Sequence, residues 1–242
     1  KELDALRGIA ALGVVLFHFT LGRPEAHLGF KFGITGVDLF FMISGFVIFM
    51  SIQNINSGLE FIVNRFTRLY PTYWTSVTIT AILQIVLITY SPQNTADLSL
   101  SKYILNLTMF QHYFKVNDID GSHWTMIIEM VFYLFTLLLI TIKRIKHIIP
   151  ISVILIVTIG VYSVFLDNQF PTIDESLNYW FQLLTHFPLF VAGIIFYKIR
   201  EQEGKWVVNY LIIALCFVIQ ASLYNNSAKA SSFISFNEYT IM

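Results

Sequence analysis

Asp4, Arg7 and His18 interrupt an otherwise apolar opening, KELDALRGIAALGVVLFHFT. A histidine can take a proton from a hydroxyl near neutral pH, and a guanidinium can grip phosphate or carboxylate. A helix turns about 100° per residue, so Arg7 and His18 fall within about 20° of each other and Asp4 within about 40° of His18. The three share one stripe, with Arg7 and His18 about 16 Å apart along the axis. Ionisable groups are costly inside an apolar span and mark a bundle interior or a wet cavity. The stripe is expected to be the wall of a site.

Further charges break later apolar stretches. In His123-Trp124-Thr125-Met126-Ile127-Ile128-Glu129-Met130-Val131-Phe132-Tyr133, the residues Thr125, Glu129 and Tyr133 are spaced by four and share a face. Glu129 is expected about 9 Å below the outer end of its span and His18 about 12 Å below that same face, similar depths for two groups able to work together. Asp38, in Gly36-Val37-Asp38-Leu39-Phe40-Phe41, is expected near the outer end of the second span. Arg65 and Arg68, three residues apart, share a face of a short interfacial helix expected to stop at Pro71.

Each has a plainer alternative. The arginines can serve as positive-inside anchors, Asp4 as partner of Arg7 or of a helix N-terminus, and Glu129 as half of a structural ion pair. His186 reads as packing. His27, His112 and His147 fall in loops, and scattered histidines make no metal site. Trp74, Trp124 and Trp180 read as interfacial belt residues.

The elements that must position these groups are membrane spans. The chain has 242 residues, 56% of them hydrophobic and 12% charged, which excludes a soluble domain. Its zero net charge offers no basic footprint for nucleic acid. The lone Cys216 supports neither a disulfide framework nor a zinc cluster. Apolar windows long enough to cross a bilayer fall at residues 5–22, 34–52, 72–90, 123–142, 147–166, 179–197 and 206–224. With the N-terminus in the cytoplasm, ten Lys and Arg lie inside and five outside, and the outer connection with Asp167, Asp174 and Glu175 carries none. The connection 91–122 is too polar to cross and carries a possible interfacial helix at 102–114. The fold class is all-α, a polytopic transmembrane bundle of about seven spans. Both ends read as cut, which makes residues 1–242 a single transmembrane domain truncated at each end.

Four segments resemble the acyltransferase 3 family of multi-pass membrane acyltransferases: Leu3–Leu12 with His18, Gly36–Phe46, Arg65–Trp74 and His123–Tyr133. They occur in the family's order, with a looser match at Thr185–Tyr197. The resemblance implies a domain of about ten spans in the bacterial inner membrane. It implies transfer of acetyl or another short acyl group from cytoplasmic acyl-CoA to a hydroxyl of surface polysaccharide, lipopolysaccharide or peptidoglycan, or of a lipid-linked glycan. It also implies roles: Arg7, with ten residues between it and the histidine, together with Arg65 and Arg68 for the donor, His18 as base, and Glu129 as its acidic partner. Asp38 completes the catalytic candidates, and no metal is expected. His123 departs from the small residue that the family more often carries before the tryptophan. A transporter with His18 and Glu129 in its pathway is the rival reading, against which stands the lack of an inverted repeat.

Overall fold

The computed structural model describes residues 2–21, 23, 28, 30–55, 57–90, 98–165, 179–180, 183–226 and 239. His27, the acidic connection with Asp167, Asp174 and Glu175, and Lys1 and Lys229 of the charge count lie outside the described residues. The described residues form α1 (Glu2–Thr20), α2 (Gly36–Ile52), α3 (Gly58–Tyr90), α4 (Leu100–Asn106), α5 (Trp124–Thr141), α6 (Ile148–Phe165), α7 (Leu183–Arg200) and α8 (Trp206–Asn226). Tight 3-10 turns at Phe30–Thr35, Gln111–Phe114 and Ile145–His147 precede or join them. Seven of the helices are long and apolar enough to cross a membrane, and the described residues contain no strand. The chain is a multi-pass membrane protein of all-α architecture. In an apolar medium every backbone polar group must be paired within the protein, and a helix does this within each segment.

The chain divides into two units, Lys1–Asn54 with Arg144–Met242, and Ile55–Lys143. In the first, α2 is central, and small residues set its approach to its neighbours. A Cβ on Gly45 would fall inside the Phe190 carbonyl, and one on Gly193 inside the Met42 carbonyl. The two backbones therefore touch, as membrane packing of small residues favours. Phe41 meets His186 and Phe190, while Phe46 and Phe49 meet Tyr197. Residue numbers rise together along both helices, so α2 and α7 run parallel, as alternate crossing requires of the second and sixth spans.

Helix α1 packs antiparallel to the entry of α2. Gly13 faces Gly33, and a Cβ on Gly36 would meet the Ala10 carbonyl. This register corrects the expected depth of Asp38. The 3-10 turn Phe30–Thr35 is part of the crossing and advances about 2.0 Å per residue. The chain has thus already travelled about 12 Å before Gly36, and Asp38 lies level with the N-terminal half of α1.

The second unit pairs α3 with α5. Gly58 lies against Leu137 and Thr141, Phe61 against Tyr133, and Tyr73 against His123, an antiparallel register with a nearly constant sum of residue numbers. Here the expected break at Pro71 is corrected: α3 is one helix of 33 residues with Pro71 inside it. Proline removes one N–H and crowds the carbonyl four residues back, but a broken helix would leave more backbone unpaired where water is scarce. The expected helix at 102–114 is likewise two pieces, α4 and the turn Gln111–Phe114. This segment is tied to α3 by its aromatic residues. Tyr73 donates to Asn106 O at 2.7 Å, Tyr70 to Thr108 O at 3.1 Å, and Trp74 Nε1 to Leu107 O at 2.9 Å. Asn106 donates through Nδ2 to Lys102 O and Asn117 O and accepts from Ile119 N, closing a core of Tyr73, Val77, Met109 and Ile119.

Candidate active site

In the second unit the polar residues converge at the middle of α5. That helix has 18 residues, about 27 Å, and Tyr133 stands halfway along it. The Tyr133 hydroxyl donates to Glu129 Oε1 at 2.6 Å and accepts from the Arg65 guanidinium of α3. Arg65 is buried at 7% exposure, with its guanidinium carbon 5.6 Å from the Phe61 ring centre and 5.7 Å from that of Tyr133. The expected inner connection for Arg65 is therefore corrected: it lies within a continuous helix, level with mid-α5. Aromatic faces and a phenol oxygen replace the hydration that an arginine loses there. Arg68, about 60° further round the helix, is exposed. Thr125 shares Glu129's face but bonds back to Ser122 O.

His123, the departure noted in the sequence, caps this unit. Its ring is 5% exposed, with Nε2 3.1 Å from Ser76 Oγ. Burial pushes the imidazole below its usual titration range, against the opposing pull of Asp120 and Asp118.

In the first unit the stripe on α1 lies on a flank. The packed face is Ala10, Gly13 and Phe17, and the line through Asp4, Arg7 and His18 is displaced from it by about 100°. Asp4 and His18 are exposed and Arg7 is half-buried, so the burial expected of His18 is not found. His18 and Glu129 belong to different units.

Asp38 instead borders a cavity of about 780 Å³. Its walls include Ala10 and Gly13 of α1, Met42 of α2, Leu189 of α7, and Phe217 and Gln220 of α8. Tyr239 donates to Asp38 Oδ2 at 3.0 Å and accepts from Gln220. Sequence reasoning missed Gln220 and Tyr239, because an isolated Gln in an apolar run carries no spacing signal. His186 packs on Phe41 with ring centres 4.9 Å apart, as its reading as a packing residue anticipated. Among the described residues no group of three His, Cys, Asp or Glu side chains is placed to hold a metal ion.

The acyltransferase domain family matches residues 1–239. The chain belongs to that family. The four segments noted in the sequence lie on α1, α2, α3 and α5, and the match runs through both units. An uncharacterized protein of Haemophilus influenzae is 26% identical over 214 residues, 78% of this acyltransferase and 86% of that protein. Nodulation protein 10 of Rhizobium leguminosarum bv. viciae is 25% identical over 170 residues, 60% of this chain and 45% of that one. The peptidoglycan O-acetyltransferase OatA of Listeria monocytogenes is 25% identical over 162 residues, 60% of this chain. The matched region is 25% of OatA's length. No solved structure matches the acyltransferase.

Proposed function

We propose that this O-acyltransferase moves acetyl, or another short acyl group, from cytoplasmic acyl-CoA to a carbohydrate hydroxyl, and that both units act as one domain. The observation that carries the reading is the Arg65–Tyr133–Glu129 cluster, a carboxylate and a guanidinium held on one hydroxyl between two apolar helices. Such groups are too costly in a span to persist without a role. The relationship to a peptidoglycan O-acetyltransferase supports a glycan acceptor and an acetyl donor. The distribution of Lys and Arg supports a cytoplasmic N-terminus in a bacterial inner membrane.

In this reading His18 is the general base. It removes the proton from the acceptor hydroxyl as that oxygen attacks the thioester carbonyl; the C–S bond breaks and the CoA thiolate recovers the proton. Arg7 and Arg68, half-buried and exposed, hold the CoA phosphates. Arg65 is a positioning residue, because its guanidinium is buried against Phe61 and Tyr133. Glu129 supplies the fixed negative charge of the reaction.

The test is acetyl-CoA-dependent O-acetylation of cell-surface glycan, followed by mass spectrometry in cells carrying the parent or His18→Ala. Acetylation in the parent and its loss in a well-inserted variant support the reaction and the base. Acetylation that survives in the variant removes His18 from the mechanism. CoA-independent solute flux in vesicles, without acylation, would overturn the enzyme reading in favour of transport.

A further inference from the structure

The pair Ser76 and His123 takes no part in the reaction proposed above. Ser76 is exposed, and its Oγ lies 3.1 Å from Nε2 of His123, within the reach of a nucleophile and its base. The imidazole is fixed on several sides. Tyr73 packs on it with ring centres 5.1 Å apart, and the His123 backbone N–H donates to Asp120 O. The Asp120 carboxylate accepts from Ser122 N and Oγ, which holds the turn that carries the ring. Nδ1 is buried without a hydrogen-bond partner among the described residues, so Nε2 is the nitrogen that exchanges protons. Burial favours the neutral ring, able to accept a proton. Asp120 and Asp118 pull the other way and stabilise the imidazolium once it forms, as the acid of a hydrolase triad does.

Ser76 opens on a groove of about 600 Å³ along α3, lined also by Pro71, Thr72, Thr75, Ile79 and Thr80. That is in the size range of small-molecule sites. Thr72 and Thr80 stand one turn to either side of Ser76, so three hydroxyls share a face. The Thr75 hydroxyl is committed to Pro71 O at 2.8 Å. No lining side chain is charged, which suits an uncharged substrate. The pairing of Ser76 with His123 sets the groove level with the entry of α5, beside the exposed Ser122, a position that water can reach.

We propose that Ser76 and His123 form a nucleophile–base pair that cleaves an uncharged carboxylic ester in this groove. Ser76 Oγ attacks the ester carbonyl as its proton passes to His123 Nε2. The carbon–oxygen bond to the alcohol breaks, and the alcohol leaves with that proton. Water then gives a proton to Nε2 while its oxygen attacks the acyl carbon of the Ser76 ester. The acid departs and Ser76 Oγ recovers its hydrogen. The Thr72 and Thr80 hydroxyls donate to the carbonyl oxygen while it carries charge. This activity is separate from acyl transfer and needs no CoA. It consumes esters, the class of product that acyl transfer makes.

The test uses the full chain in lipid nanodiscs without CoA. Turnover is followed with p-nitrophenyl acetate, and reactive serines are tagged with an uncharged alkyl fluorophosphonate, whose fluoride the serine oxygen displaces. Ser76 should be tagged at least about 10²-fold faster than Ser101, an exposed serine bonded to Ser99 rather than to an imidazole. Release of p-nitrophenol should fall to the level of empty nanodiscs in Ser76→Ala. That variant changes an exposed side chain within a helix to the best helix former, so it should insert like the parent. In His123→Asn the tagging of Ser76 should slow by at least about 10²-fold. Equal tagging of Ser76 and Ser101 would overturn the proposal and leave the pair as an interhelical hydrogen bond. So would p-nitrophenol release unchanged in Ser76→Ala, or tagging unchanged in a folded His123→Asn. Because no assay contains CoA, a chain without any acyl transfer still passes or fails this test.

Discussion

Tyr133 and Glu129, one turn apart on α5, are joined by a 2.6 Å hydrogen bond, and Arg65 of α3 reaches the same hydroxyl. Removing the hydroxyl leaves a carboxylate and a guanidinium without the group between them. Hydrogen bonds to charged groups contribute about 1.5–3 kcal/mol, so Tyr133→Phe should lower stability by that order. Arg65→Met should cost more, because it takes from Tyr133 its guanidinium donor and from the half-buried Glu129 the positive charge on the same hydroxyl. Arg65→Lys should recover only part of this, since an ammonium lacks the planar fork. Unfolding in mild detergent would rank the three, and an Arg65→Met protein as stable as the parent would show that the cluster is not a coupled unit.

His18 offers the opposite pattern. Its ring is exposed and meets the neighbouring Phe17 ring edge-on. Substitutions at such sites usually change stability by about 0.5 kcal/mol or less, whereas loss of a general base costs about 10²–10⁴-fold in rate. His18→Ala should therefore insert and unfold like the parent while losing acyl transfer by at least about 10²-fold. A large loss of stability would instead make His18 a packing residue.

The contact of α2 with α7 is set by two glycines. Any side chain at Gly45 or Gly193 meets a facing backbone carbonyl, which cannot move aside as a flexible side chain can. Gly193→Ala and Gly45→Ala should each destabilise by about 1–3 kcal/mol, the usual range for overpacking. Gly8→Ala, with open space around its Cβ position, should be neutral or slightly stabilising because alanine favours helix. Thermal unfolding of the three single variants separates them, and equal midpoints would refute the close approach.

These glycines also show what could be read in advance. Small residues at Gly36, Ser44 and Gly45 in an apolar run announce a close helix contact, but the partner, Gly193, lies far along the chain and carries no local signal. The seven spans were legible because crossing a bilayer fixes length and hydropathy together. Pro71 misled for a physical reason: rules for ending helices derive from water, where a freed carbonyl finds a solvent partner. Asp38 lies deeper than an apolar window starting at residue 34 suggests, because the 3-10 turn Phe30–Thr35 precedes the helix. Glu129 and Tyr133 could be paired from their spacing of four, but Arg65 could not be added without the antiparallel register of α3 and α5. The flank position of His18 follows from which face of α1 the glycines select, a choice that the stripe itself does not reveal.

His123 gives the second unit a pH dependence. The buried imidazole holds its proton less tightly in the folded chain than in the unfolded one, whose value is near 6.5. Above 6.5 both states are neutral at this residue and it adds no slope. As pH falls through 6.5 the unfolded state takes up the proton first, so stability declines, by at most about 1.4 kcal/mol per pH unit for one proton. The decline continues until the folded-state value is reached. His123→Phe removes the titration and should flatten the curve between pH 7 and 5, while losing the contact with Ser76. Thermal unfolding followed by tryptophan fluorescence, with Trp124 adjacent in the chain, is the measurement. The same slope in both proteins would assign the acid sensitivity to other groups.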